Sequence, residues 1–260
     1  MKERLDIILV DRRLVESRTK AQWLIKNGFV LVNNIEILKP GKKIDNSSEI
    51  VLIKEFPYVG RGGIKLEAAL REFSIPVKEK TCVDIGASIG GFSDCLLKHG
   101  AKKVYSIDTA TDLLHPSLTC DKMKDKVVPI LGIDARQFNN FIDIINIVTS
   151  DVTFASLKEI LPNVKKYLEK DGDIITLVKP IFETNFHEEV KFKNIIDSKK
   201  LKTILIDLFE WGEKNEIYPQ GVVKSPIFGG KGSIEFFIHF RLDKTIFNGD
   251  YLNDLENIIN

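Results

Sequence analysis

The stretch from Thr81 to Asp108 constrains the fold of this chain more than any other. Val83-Asp84-Ile85 reads as a buried strand and Gly86-Ala87-Ser88-Ile89-Gly90-Gly91 as a glycine-rich turn. Phe92, Cys95 and Leu96 then fall on one face of a helix. A second apolar strand ends at Asp108, 22 residues beyond Gly86. Glycines let backbone approach a ligand closely, and the start of the helix points free N–H groups at it. An acid at the end of the second strand stands where a ribose diol is gripped in a nucleotide-binding βαβ unit.

The rest of the chain continues the pattern. Strands are expected at 81–85, 103–107, 127–130, 144–150, 173–179, 202–210 and 234–241, helices at 66–73, 91–99, 154–169 and 186–200, and a helical or irregular segment at 112–123. Such alternation implies an α/β sheet with helices on both faces. The last two strands, joined without a helix around Gly229-Gly230-Lys231-Gly232, are expected to form an antiparallel hairpin. No apolar run approaches ~18 residues, so no transmembrane helix is expected. Met1-Lys2-Glu3-Arg4 lacks the apolar stretch of a signal peptide. Cys82, Cys95 and Cys120 form neither a close pair nor a metal-ligand spacing. No metal is therefore expected, and buried thiols suit a reducing cytoplasm.

Charge separates the two ends of the chain. Residues 1–80 carry 16 Lys+Arg against 11 Asp+Glu, net +5, whereas the remaining 180 residues are net −4. A basic piece on a slightly acidic body suggests a polyanionic partner for the former. Within residues 1–54, Leu5, Ile8 and Leu9 recur at helical spacing. Ser17 can cap a second helix that ends before Gly28 and turns Ala21, Leu24 and Ile25 inward. Strands are expected at 29–32, 35–38 and 49–53, with a turn at Asn33-Asn34. The string Arg4-Leu5-Asp6, Ser17-Arg18-x-x-Ala21-x-x-Leu24-Ile25-x-x-Gly28-x-Val30-x-Val32-Asn33 and Lys39-Pro40-Gly41 resembles the S-four-like RNA-binding domain, a small α+β module. The resemblance implies that a helix pair and a small sheet present basic residues to structured RNA. Arg4, Arg12, Arg13, Arg18, Lys20 and Lys26 cluster in and beside those helices, as phosphate contacts require, and Arg61 adds to them. Residues 55–61, with Pro57, read as a linker. The second domain is expected at 62–243, and 244–260 as a polar, loosely docked C-terminal tail.

The loop Gly86-x-x-x-Gly90-Gly91 is not the dinucleotide fingerprint, because it lacks the glycine that admits a pyrophosphate. A wider loop preceded by Asp84 fits a ligand without phosphates. S-adenosylmethionine fits, with its amino-acid end near the loop, its ribose at Asp108 and its adenine by Asp134-Ala135. The chemistry then falls on four residues. Asp151 and Lys179 end apolar strands, Glu235 sits in Ile234-Glu235-Phe236-Phe237, and Lys65 lies in Arg61-Gly62-Gly63-Ile64-Lys65. A lysine closing an apolar strand and locked by Pro180 is not a surface lysine by pattern.

These four resemble the Lys-Asp-Lys-Glu set of the FtsJ-type ribose 2′-O-methyltransferases. Residues 1 to about 242 together resemble the TlyA family, the hemolysin-named ribosomal RNA methyltransferases. The motifs that carry the resemblance are Asp84-Ile85-Gly86-Ala87-Ser88-x-Gly90-Gly91-Phe92, Asp151-Val152-x-Phe154-x-Ser156-Leu157, Val178-Lys179-Pro180-x-Phe182-Glu183 and Ser225-Pro226-Ile227 through Ile234-Glu235-Phe236. The resemblance implies a Rossmann-like S-adenosylmethionine-dependent methyltransferase fold. It also implies 2′-O-methylation of cytidines in ribosomal RNA of both subunits, in the cytoplasm, with ribosomal RNA or ribosomal subunits as partners and no membrane. A ribose hydroxyl needs its proton taken or steered as the methyl arrives. Lys179 is expected in that role, Asp151 as its partner, and Lys65 and Glu235 as positioning residues. Two departures fall near the cofactor: Ile89 stands where the family usually has Thr, and Thr109-Ala110-Thr111-Asp112-Leu113-Leu114 replaces a usual Gly-x-x-Gln-Leu. The rival readings are an RNA-binding protein with a degenerate methyltransferase fold and a membrane-lytic hemolysin. No helix here combines a strong apolar face with a cationic one, which disfavours the latter.

Overall fold

The computed structural model describes residues 2–184, 197–229 and 232–244, together with Leu255, Ile258 and Ile259. The chain divides into two units, Met1–Arg61 and Gly62–Asn260.

In the first unit β1 (Lys2–Arg4) leads into α1 (Leu5–Asp11), followed by α2 (Arg18–Lys26). Ser17 caps α2, its Oγ accepting from Lys20 N at 3.3 Å, and Gly28 at φ +76° ends it. β2 (Val30–Val32) and β3 (Ile35–Glu36) are joined by Asn33 and Asn34, both at positive φ as a tight hairpin requires. β4 (Lys43–Asp45) pairs with β1 and β5 (Ile50–Leu52) with β2, all antiparallel. Leu5, Leu9, Ala21, Leu24, Ile25 and Val30 are wholly buried and form the core of this unit. The β1–β4 ribbon was not expected, because strands of three residues are too short to show an alternation.

The second unit opens with α3 (Arg61–Glu72), which starts five residues earlier than the pattern suggested, so that Lys65 lies on the helix itself. The sheet elements follow in order: β6 (Thr81–Ile85), α4 (Gly91–Lys98), β7 (Lys103–Asp108), α5 (Pro116–Thr119), β8 (Val127–Leu131), β9 (Ile145–Ser150), α6 (Leu157–Val164), β10 (Leu168–Val178), α7 (Pro180–Glu183), α8 (Ser198–Lys214), β11 (Tyr218–Lys224) and β12 (Phe236–Arg241). They form a seven-stranded sheet in the order β11-β12-β10-β9-β6-β7-β8. Five strands run parallel, and β12 runs antiparallel to both of its neighbours. Alternation along the strands sorts the two faces. Val83, Ile85, Val148, Ile174, Phe236 and Ile238 pack with Leu157, Leu161, Leu205 and Leu208 of α6 and α8. Asp84, Phe237 and His239 look the other way. There Ser93 of α4 bonds Asp84, and the rings of Phe92 and Phe73 meet Phe237 and His239.

One element differs in kind from its expectation. Residues 202–210 are not a strand but the middle of α8. Thr203-Ile204-Leu205-Ile206 carries β-branched side chains, yet the buried positions are Leu201, Ile204, Leu205, Leu208 and Phe209, a helical spacing that burial rewards over propensity. The hairpin is therefore β11–β12, and β11 begins at Tyr218. Its turn residues Gly230 and Lys231 lie outside the described residues, as do 186–196 of the expected helix at 186–200. Of the C-terminal tail, the described residues are Leu255, which is wholly buried, and Ile258 and Ile259, which pack against the main core.

Candidate active site

The parallel register brings the ends of successive strands into one row. Ile85 lies beside Ser150 on one side and Ile107 on the other, so Gly86, Asp151 and Asp108 follow at the same edge. Thr176 pairs with Ser150, which carries Lys179 past the end of β10 to the same edge. Because β12 is antiparallel, its first residue pairs with Val178, and Glu235 stands beside Lys179 in the register. Ligand crevices of open α/β sheets lie at this carboxyl edge.

A pocket of about 490 Å³ opens there, within the range of small-molecule sites. Gly86, Ser88, Asp108, Asp134 and Ala135 line it, with Leu113, Ile133, Arg136 and residues 151–155. Gly86 is required by geometry: it sits at φ +79°, and a Cβ on it would lie 2.6 Å from the Asp151 carbonyl oxygen. Asp108 is oriented by backbone, accepting from Ser88 N at 2.7 Å and from Ala110 N at 2.8 Å. Asp134 accepts from the Arg136 guanidinium at 3.0 and 2.6 Å, which holds its carboxyl below the usual range. Arg136 in turn reaches Glu159 at 2.6 Å.

Five residues expected to touch the cofactor do not line this pocket. Asp84 is buried at 1 % exposure beneath the loop, where Ser93 Oγ donates to it at 2.7 Å and Thr149 Oγ1 at 3.3 Å. Burial pushes this carboxyl up to about 7, against the hydrogen bond from Ser93 and with help from the charge of Asp151. Gly90 at φ +92° makes room for Leu118, and a Cβ on Gly91 would press on the backbone of Gly62 and Gly63. Phe92 packs against Phe237, and Ala87 is buried at 4 % exposure. The two later glycines of the loop thus serve helix packing, and only Gly86 serves the pocket wall.

The four candidate catalytic residues form two ion pairs. Lys65 Nζ lies 2.5 Å from Glu235 Oε2, with both side chains under a tenth exposed. Lys179 Nζ lies 2.6 Å from Asp151 Oδ1, and both of these are partly open to solvent. This second pair lacks hydrogen-bond geometry at Oδ1, and the amine instead donates to Val152 O and Thr153 Oγ1, each at 2.9 Å. Its direction is therefore fixed by three oxygens from one short loop. Ser150 Oγ, one residue away, is buried with no hydrogen-bond partner among the described residues. Orphaned polar atoms of this kind mark places where a ligand or water completes the set.

Sequence reasoning gave no role to three contributors. Glu183 accepts from Ser156 Oγ at 2.6 Å and from Leu157 N at 3.0 Å, capping α6 behind the 151–155 loop. Burial pushes its carboxyl up in spite of those bonds. Thr153 and Arg136 had no signal beyond adjacency to Asp151 and Asp134. Among the described residues no cluster of His, Cys, Asp and Glu could hold a metal ion, and no helix is long and apolar enough to cross a membrane.

In the first unit the basic residues divide by what they hold. Arg4 and Arg18 both grip Asp6, and Arg12 donates to the backbone carbonyls of Asn46 and Ser48. Lys20 pairs with Glu16 and lies over the Phe56 ring. Arg13, Lys26 and Arg61 are exposed.

Residues 58–242 match the family model of the FtsJ-like methyltransferases, and residues 3–50 match that of the S4 domain. A Bacillus subtilis protein named as an rRNA methyltransferase, YqxC, is 39% identical over 248 residues, covering 92% of this chain and 86% of its own. The 16S/23S rRNA (cytidine-2′-O)-methyltransferase TlyA of Mycobacterium tuberculosis is 31% identical over 242 residues, covering 92% of this chain and 89% of its own. The solved structure of a hemolysin-named protein from Streptococcus thermophilus superposes with a TM-score of 0.74 at 33% identity, covering 99% of this chain and 94% of that one.

Proposed function

The chain belongs to the FtsJ-like methyltransferases that carry an S4 domain, the family that includes TlyA, and from that premise we propose that it methylates a ribose 2′-hydroxyl, that of a cytidine, in ribosomal RNA of the small and large subunits, using S-adenosylmethionine. The observation that carries the reading is the pair of lysine–carboxylate contacts at adjacent strand ends, with Asp151, the partner of Lys179, on the wall of the 490 Å³ pocket.

The pocket fits the cofactor. Asp108 offers a carboxylate held by two amides for the ribose hydroxyls, Leu113 and Ile133 offer apolar surface for the adenine, and Gly86 leaves the wall bare where a Cβ would intrude. When bound, S-adenosylmethionine supplies an electrophilic methyl group. Lys179 takes or steers the proton of the 2′-hydroxyl, and Asp151 orients the amine. The Lys65–Glu235 pair fixes the neighbouring strand end, so that the acceptor oxygen meets a rigid wall. Holding that oxygen in line supplies much of the rate. Residues 1–54 bind the RNA, 55–61 act as the linker, 62–243 carry the chemistry, and the protein works in the cytoplasm on ribosomal subunits.

The test is Lys179→Ala. Transfer to ribosomal RNA should fall by about 10² or more, while S-adenosylmethionine binding by calorimetry stays within about twofold of the parent. Turnover retained by the variant would remove Lys179 from the role. The altered run 109–114, which places Thr109 and Leu113 on the pocket wall, favours the rival of an inactive RNA-binding fold. A folded parent protein that binds no S-adenosylmethionine in the same experiment would establish that rival.

A further inference from the structure

Asp6 is the oddest residue of the first unit, an acid at the centre of a basic surface. Its side chain is 0% exposed, yet it lies shallow, roofed by the groups that bind it. Arg4 donates to both of its oxygens, at 2.9 and 3.0 Å, and Arg18 and Gln22 donate to Oδ2 at 2.9 and 2.8 Å. Burial pushes the carboxyl up, but the bonds from Arg4, Gln22 and Arg18 outweigh it and hold it well below the usual range. The backbone N–H of Asp6 is tied to Pro40 O at 3.1 Å. A Cβ on Gly41 would lie 3.0 Å from Arg4 Nη1, so the absence of a side chain there lets the guanidinium lie along the turn. The outer halves of both arginines remain open, at 43% and 54% exposure.

We propose that Asp6 is a positioning residue for RNA recognition: it locks two arginines, one from β1 and one from α2, into one fixed fork that meets the phosphate backbone of structured RNA. This rests on the RNA-binding reading of residues 1–54. A free arginine loses rotamer freedom when it binds a phosphate, whereas one already held by a carboxylate has lost it on folding. The fork therefore favours a particular spacing of phosphates over phosphate in general.

Charge counting and the fork make opposite forecasts for Asp6→Asn in the full-length protein. Charge counting adds one positive charge and expects tighter binding with a steeper salt dependence. The fork expects binding to purified ribosomal subunits to weaken by about tenfold, a loss of one to two ordered side chains, while binding to single-stranded poly(U) is unchanged or tighter. KM for subunits should rise with kcat unchanged at saturation. Arg4→Lys/Arg18→Lys keeps every charge but cannot fork onto the carboxylate, and it should show the same selective loss if Asp6→Asn does not fold. Equal or tighter binding of subunits by the folded Asp6→Asn protein, or by the lysine pair, would overturn the proposal. Failure of the parent protein itself to bind subunits would instead overturn the RNA-binding reading.

Discussion

Replacing Asp84 by Asn should stabilise the second unit at neutral and alkaline pH. The acid lies under the glycine loop at 1 % exposure, among Ser93, Ser106 and Thr149. Its folded-state pKa is raised from 3.8 to about 7, by burial first and by Asp151 in addition. Below about pH 4 the carboxyl is protonated in both states and ionisation has no effect on stability. Between about pH 4 and pH 7 the unfolded chain has lost the proton and the folded protein still holds it, so stability falls as pH rises; above 7 the loss is complete. The gap in proton affinity corresponds to roughly 4 kcal/mol at ~1.4 kcal/mol per tenfold. Asn keeps the shape without the ionisation: its amide oxygen can accept from Ser93, and its N–H can donate to Thr149 Oγ1, whose own proton has Val83 O within reach. The difference between variant and parent should therefore grow from near zero at pH 4 to a few kcal/mol at pH 8. The chain has 2 tryptophans, Trp23 and Trp211, one in each unit. A Trp23→Phe background thus makes urea unfolding followed by fluorescence report the second unit alone. A difference that does not vary with pH, or an Asn variant less stable throughout, would refute the buried titration.

Further expectations follow from particular contacts. Leu205→Ala should cost about 2–5 kcal/mol in the same unfolding assay, since the side chain is 0% exposed in the main core, whereas Thr203→Ala on the exposed side of α8 should cost under ~0.5 kcal/mol. Gly86→Ala should raise the cofactor Kd at least about tenfold and lower Tm, because its φ is +79° and the new Cβ meets the Asp151 carbonyl at 2.6 Å. Calorimetry with unchanged affinity would mean that the loop yields without moving the pocket. Asp108→Ala should raise KM for S-adenosylmethionine and leave kcat at saturation within a few fold, and a fall in kcat alone would move Asp108 from binding to chemistry.

The α/β core was legible because long apolar runs bounded by glycine are hard to read in two ways: the strands at Thr81–Ile85, Lys103–Asp108, Val127–Leu131 and Ile145–Ser150 fall within a residue or so of expectation. The segment at 202–210 was misread because Ile204, Leu205, Ile206, Leu208 and Phe209 are apolar on nearly every side, which hides the period of a helix. Tyr218–Lys224 was missed for the opposite reason: Pro219, Gln220 and Gly221 interrupt its pattern, and an edge strand tolerates all three. In the site, the lysines and acids were visible as charges inside apolar strings. Asp151 was expected as the partner of Lys179, but the pairing of Lys65 with Glu235 was not visible, because it depends on β12 running backwards beside β10. The placement of Asp84, Gly90 and Gly91 was hidden too, since a loop motif does not say which of its residues faces the ligand and which the next helix.

The strand order carries a consequence for how the protein is made. The pocket wall from Gly86 to Ala135 belongs to β6–β8 and the loops that follow them, all complete once the chain has passed residue 135. Glu235 and β12 come a hundred residues later, and β12 must insert between β10 and β11 rather than add to an edge. Lys65, near the beginning of this unit, waits without its carboxylate until then. A ribosome emitting this chain would thus release the whole pocket lining, complete at Ile160, well before β12 can enter the sheet. The Lys65–Glu235 pair is therefore the last contact of this edge to form.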